Sequence, residues 1–312
     1  MTMYVLKRLA LIVPINLLVI LIVFSILSMT PGDPARIMLG IHAPEEAVER
    51  LTEELGLNDP FVLRYFNYVI GIARLDFGES YRSRRPVFDE ILPVFPTTLW
   101  LAVLTVTVAS LLGVTLGIIS AVRQYSALDI SLTVGSLIIA SVPGFWLGMI
   151  LILTFSLRLD LLPSSGIGSI QHFILPVMTG ALPSAAFQAR VTRNQMLETM
   201  RQDYIRTAKA KGASRNRIVW RHALKNTLLP VITMVGMGFA FSLGGSMITE
   251  IVFGLPGVGN LIVSAIRMQD APVVMGSTVF LATLFMIIML AVDLIYAFIN
   301  PLIKSQFAQK RG

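Results

Sequence analysis

Residues 9–29, LALIVPINLLVILIVFSILSM, run for 21 positions without a charged side chain. A hydrocarbon core of ~30 Å is crossed by ~20 helical residues, so this run matches a membrane span and exceeds what an ordinary soluble core buries unbroken. Further apolar runs at 97–121, 130–157, 174–199, 228–253 and 276–299 bring the expected number of spans to six. The fourth is the least apolar: its uncharged portion, 174–189, is short and carries Pro176 and Pro183. With 55% hydrophobic and 14% charged residues, the chain falls among integral membrane proteins.

Loop charge orients the spans. Between Arg190 and Lys225 stand ten Lys/Arg against Glu198 and Asp203, whereas residues 30–96 hold eleven acids against seven bases. The positive-inside rule puts the first segment in the cytoplasm and the second outside. Six spans satisfy both, with Arg123 and the terminal Lys304, Lys310 and Arg311 also inside. The net charge of +7 is thus a topology signal, and no aromatic-interleaved basic patch points to nucleic acid. Lys7 and Arg8 precede a first run longer than the ~7–15 residues of a secretory h-region, with no small-x-small site after it, so an uncleaved signal anchor is expected. The expected divisions are a signal-anchor span at 1–29, an external loop at 30–96, a transmembrane core at 97–300 and a cytoplasmic tail at 301–312.

Two amphipathic helices are expected in the external loop. Residues 44–55 put Val48, Leu51 and Leu55 on one face; residues 60–72, opened by an Asp59 cap with Pro60 as first helical residue, space Val62, Tyr65, Phe66 and Val69 helically. They would either meet a solute-binding protein or lie against the bundle or lipid headgroups.

The cytoplasmic segment 201–230 is the most structured by its own chemistry. Asp203 reads as an N-cap, Tyr204 to Lys211 as a short helix, and Gly212 as the left-handed residue that closes it. Ser214 then caps a second helix from Arg215 to about Asn226, expected to end before Pro230 and to carry Ile218, Val219, Leu224 and Leu228 as apolar anchors. A capped helix, a glycine hinge and an anchored second helix favour a protein-docking element over a loop that only touches anionic lipid.

The stretch DYIRTAKAKGASRNRIVWRHALKNTLLP resembles the cytoplasmic signature of the membrane subunits of bacterial binding-protein-dependent ABC importers. In that family Glu-Ala-Ala is followed by three residues, then Gly, then a more distant Leu-Pro; here Arg206, Thr207, Ala208, Gly212 and Leu229-Pro230 align. Arg206 in place of Glu, and the longer interval to Pro230, match the dipeptide/oligopeptide/nickel/glutathione branch. Pro31-Gly32-Asp33-Pro34 and residues 250–274 extend the resemblance. It implies an all-α type I ABC importer permease fold in the bacterial or archaeal cytoplasmic membrane, both termini inside, and a path for a small solute such as a di- or oligopeptide. It also implies a second, different permease chain, two cytoplasmic ATPases that bind the ATP and Mg, and an external binding protein. Asp203, Arg206, Thr207, Ala208, Gly212, Ala213 and Pro230 would then form the ATPase-coupling element.

The chain carries no chemistry of its own to drive transport. It has no GxxxxGK[ST] loop, no cysteine, and three scattered histidines, His42, His172 and His222, so neither nucleotide hydrolysis nor a metal or thiol site is expected in it. Gly113 and Gly117 form a GxxxG pair suited to close helix packing. Pro143-Gly144 and Pro183 suggest broken helices, which membranes accept beside protein or a watery cavity; they read as a path wall or as simple kinks. Glu250, near the outer end of the fifth run, reads as a gate or helix contact, or as an end-of-span residue reaching the interface. The rival class is an ATPase-independent secondary transporter or channel, which calls for midplane acids and matched inverted repeats that the sequence does not show.

Overall fold

The computed structural model describes residues 2–29, 32–40 and 42–299, so the expected tail 301–312 lies outside the described residues. Among the described residues the chain is helical apart from one isolated antiparallel bridge between Glu79 and Pro86. The helices are α1 (Thr2–Met29), α2 (Pro34–Leu39), α3 (Glu45–Glu54), α4 (Phe61–Ala73), α5 (Val87–Val122), α6 (Ala127–Ser141) and α7 (Gly144–Leu151). There follow α8 (Gln171–Met200), α9 (Asp203–Ala210), α10 (Arg215–Arg217), α11 (Leu224–Gly245), α12 (Met247–Val252), α13 (Val258–Arg267) and α14 (Ala271–Ile299). Two π-helical stretches, Ile152–Arg158 and Ile218–Ala223, prolong α7 and α10.

Three segments, Ala10–Met29, Val87–Val122 and Ala271–Ile295, are long and apolar enough to cross a membrane. Two more qualify only as bent pairs: Ala127–Ser141 with Gly144–Arg158, bent by 101°, and Arg215–Thr227 with Pro230–Gly245, bent by 51°. Length and composition therefore give three to five spans among the described residues, where six apolar runs were expected. α8 covers the expected fourth run as a helix of 30 residues.

Of the prolines, Pro143 breaks its helix as expected, whereas Pro183 and Pro230 do not. The run 130–157 is not one straight crossing: Val142 is extended, as a residue before proline tends to be, and a new helix starts at Gly144. Pro183 does not break its helix, since α8 runs unbroken through Pro176 and Pro183. A proline removes one ladder bond, and α8 keeps the rest, with Thr179 and Ser184 hydroxyls adding bonds to the Leu175 and Gly180 carbonyls at 2.8 and 2.9 Å. Pro230 does not end the second helix of the basic segment either, because α11 continues through it and the chain bends there instead.

The chain forms two compact units. In the unit built on Leu99–Leu255, α5 and α8 approach closely. A Cβ on Gly113 would lie 2.6 Å from Gln188 Cβ, and one on Gly117 2.6 Å from the Ala189 carbonyl oxygen. Leu101, Ala109, Leu175, Ala181, Phe253 and Leu255 form one buried core there. The other unit, Met3–Thr98 with Pro256–Met286, places α4 along α1. The Tyr65 hydroxyl donates to the Leu17 carbonyl at 3.0 Å, and Phe24 meets Phe61 edge-on at 5.3 Å. Leu17 is in the middle of the first apolar run, so α4 lies against a helix of the bundle, one of the two placements expected for it. Of its four spaced residues, Tyr65 and Val69 turn inward while Val62 and Phe66 are exposed. Pro60 is extended and precedes α4, one residue outside the position expected for it. In the same unit Thr283 donates to Asn16 at 2.9 Å, and the Asp270 carboxyl accepts from the Ser80 hydroxyl at 2.6 Å and the Tyr81 amide at 3.1 Å.

Candidate functional site

The basic segment is a two-helix platform held from beneath. α9 is too short to stand on propensity, and its stability comes from one apolar contact surface. Ile205 is fully buried and joins Ile118, Ala121, Met196, Ile218, Val219 and Ala223 in a core under the platform. Burying such a side chain contributes about 1.5–3 kcal/mol. Leu224 and Ala213 pack against the same core; the Leu228 side chain lies outside the described residues. Above it, Asp203, Arg206, Thr207 and Lys209 are exposed and Ala208 is half-buried.

The ends of α9 are fixed by backbone chemistry. Asp203 is not its cap: Gln202 is extended and occupies that position without a side-chain bond, and Asp203 opens the first turn, where an acid suits the helix dipole. At the other end Gly212 has φ +80°, and the Ala213 amide returns to the Ala208 carbonyl at 3.1 Å. Ser214 caps the next helix by accepting from the Arg217 amide at 3.4 Å. The Asn226 amide donates to the Tyr204 hydroxyl at 2.8 Å, tying the two helices together. Asp203, Arg206, Thr207, Ala208, Gly212 and Ala213 therefore share one element, whereas Pro230 lies beyond it at the bend in α11.

Beside the platform stands a buried ion pair that the sequence did not suggest. Asp129 is 2% exposed and receives both Nε and a terminal nitrogen of Arg193 at 2.7 and 2.8 Å. The Ser120 hydroxyl and the Tyr125 amide also donate to it. This bidentate pair clamps α6 to α8 just before α9 begins. The partners are 64 residues apart, so local pattern carried no sign of it.

A cavity of about 340 Å³ opens among α5, α8, α11, α12 and the start of α7. Gly144 and Pro183 line it, together with Thr105, Ser184, Gln188, Ser242 and Thr249, and no ionisable side chain does. Gln188 is 4% exposed, and its Oε1 has no hydrogen-bond partner among the described residues. Pro143 and Glu250 do not line the cavity. Glu250 is fully buried, which excludes the reading in which it reaches the interface; it accepts from the Ser246 hydroxyl at 2.9 Å, and Ser246 does face the cavity.

Comparison with known proteins matches residues 113–305 to the family described as "Binding-protein-dependent transport system inner membrane component" and residues 1–102 to the N-terminal part of such components. Curated relatives include the glutathione transport system permease protein GsiC of Escherichia coli (strain K12) and of Shigella flexneri serotype 5b (strain 8401). Each is 41% identical over 304 residues, covering 96% of this chain and 98% of the relative. Among solved structures, the native crystal form of the inward facing MetNI methionine ABC transporter aligns with a TM-score of 0.58 at 19% identity. It covers 67% of this chain and 96% of that one, a likeness of fold: the all-α, integral-membrane fold of an ABC importer permease.

Proposed function

This chain belongs to the family of binding-protein-dependent transport system inner membrane components, and we propose from that premise how its parts serve import. It is a membrane permease subunit of an ABC importer and is not itself a catalyst. Its cargo is glutathione or another small peptide, a reading supported by relatives named for glutathione transport. The chain crosses the membrane six times with both termini in the cytoplasm, α8 being the fourth span. It pairs with a second permease chain, two cytoplasmic ATPases and an external solute-binding protein.

The observation that carries the coupling role is α9: a helix with a charged outer face, anchored through Ile205 on a buried core and ended by a glycine at positive φ. Such an element moves as one piece. ATP-driven closure of the ATPases displaces it, and the core beneath passes that displacement to α5, α8 and α11, whose cavity is the path. Gly144 and Pro183 belong to the wall of that path. Pro143 sets the break before α7, and Glu250 supports the wall through Ser246.

The test uses the absence of native cysteine. Cysteine placed at exposed Thr207 is expected to crosslink to the ATPase subunit in the assembled complex, and the crosslink should abolish solute-stimulated ATP hydrolysis. Full transport with Thr207 modified and no ATPase captured would refute the coupling role.

A further inference from the structure

We propose that a groove at the C-terminal end of α5 is a binding site for the headgroup of an anionic phospholipid. The groove, about 590 Å³, is lined by Ile118, Ile119, Val122 and Leu128 on its apolar side and by Arg123, Arg215 and Trp220 at its mouth. Two guanidinium groups thus stand over an apolar floor, and no acidic side chain lines the groove. The Arg123 guanidinium makes no hydrogen bond or ion pair among the described residues; only its backbone is bonded, to Ile119 and Ser126. Arg215 uses one terminal nitrogen on the Val122 carbonyl, which holds it at the rim with other donors left over.

The surroundings identify the occupant as lipid. Leu112, Thr115 and Ile119 form an exposed stripe at helical spacing down α5, and Arg123 continues it at the foot. An acyl chain on that stripe brings its phosphate level with Arg123 and Arg215. Trp220, 58% exposed, has the amphipathic ring that favours the headgroup region. A soluble phosphate would use the guanidinium groups and leave the apolar floor without a partner. Basic pockets at the cytoplasmic ends of membrane helices suit anionic headgroups on general electrostatic grounds. The site is independent of the cargo, and it borders the coupling element through Arg215, Val219 and Trp220.

Native mass spectrometry of the full chain, released from detergent with equimolar phosphatidylglycerol and phosphatidylcholine of identical acyl chains, tests this. Wild type is expected to retain phosphatidylglycerol preferentially, and Arg123→Gln to lower that preference about fivefold at an unchanged thermal midpoint. Arg221→Gln, an exposed basic position outside the groove, should leave the preference intact, and Trp220→Ala should weaken retention of both lipids. Equal retention of the two lipids by wild type would overturn the proposal. So would an equal loss in Arg221→Gln, which means diffuse charge, or displacement by glycerol 3-phosphate as effective as by lipid, which means a free-anion site. Loss of the lipid when the ATPase subunit is added, with a Trp220→Cys crosslink to that subunit, would make the groove a protein interface and overturn it as well.

Discussion

Replacing Gly212 isolates one physical demand of the platform. The backbone there has φ +80°, and a Cβ built on it meets nothing within 4 Å. Space is therefore no obstacle, and the whole penalty of a side chain is conformational. Left-handed backbone costs an L-residue about 1–2 kcal/mol, with β-branched residues at the upper end. The Lys211 and Ala213 amides close this turn, so the penalty falls on the local opening of α9, and about 1–2 kcal/mol raises an opening equilibrium roughly 5–30-fold. Hydrogen exchange of the full complex reads this directly. The Lys211 and Ala213 amides, bonded to the Thr207 and Ala208 carbonyls at 3.0 and 3.1 Å, should exchange faster by that factor in Gly212→Val. Gly212→Asn should sit near wild type, because asparagine visits the left-handed region readily. Transport in proteoliposomes should fall in the valine variant and survive in the asparagine variant at equal membrane abundance. Identical exchange and transport in the two variants would refute the argument, as would a valine defect that merely tracks lower abundance.

The other expectations test neighbouring parts of the structure. Asp129→Ala leaves Arg193 half-enclosed without its partner and should lower stability by about 3–5 kcal/mol, seen as an earlier thermal transition in detergent; an unchanged transition would mean the clamp is ornamental. Gly236→Ala should destabilise by about 1–3 kcal/mol, because its Cβ would lie 2.3 Å from Val292 Cγ2, whereas Gly238→Ala, with nothing within 4 Å, should be neutral or slightly stabilising. Equal effects at the two glycines would contradict the packing. Single cysteines at exposed Ser83 and Lys211 should label from opposite sides of the membrane, and labelling of both from outside would overturn the six-span topology.

The sequence was most legible where the cause is local. Gly212 and Ser214 announce their backbone roles by residue type, and both take them in the structure. The Gly113–Gly117 pair signals close packing, and α8 fills that space. Legibility fails where the cause is distant or shared. Asp129 gave no sign of its role because its partner is 64 residues away on another helix. Hydropathy could not choose between the helix-contact and interface readings of Glu250, because it cannot show that the side chain is enclosed. The prolines misled in one direction, by promising breaks at Pro183 and Pro230 that did not come, while the expected break at Pro143 did. Pro143 breaks its helix because a glycine follows and the preceding valine turns extended, whereas Pro183 is carried by a helix packed along its length. For α4 the helical spacing held for Tyr65 and Val69, while Val62 and Phe66 stay exposed, because the inward face was set by a ring on another segment, Phe24, against Phe61 and Tyr65.

α8 shows how one property can keep a helix out of a hydropathy count and mark the cavity it borders. Its low hydropathy comes from Thr179, Ser184, Gln188, Arg190, Thr192 and Arg193, side chains that lipid would not accept. Several are satisfied by protein: Thr179 and Ser184 bond backward to their own helix, and Arg193 is held by Asp129. A helix surrounded by other helices is solvated by them, so its composition reports its neighbours and not the bilayer. The glycines of α5 allow that enclosure by bringing the two backbones together. What the neighbours leave unsatisfied is then informative. Gln188 Oε1 is buried on the helix turn that borders the cavity, next to Ser184 and Pro183, and has no partner among the described residues. A buried acceptor left in that way costs stability, so the helix carries it for a reason other than its own packing. The polarity that removes α8 from a hydropathy count is thus the polarity that its neighbours and the cavity accommodate.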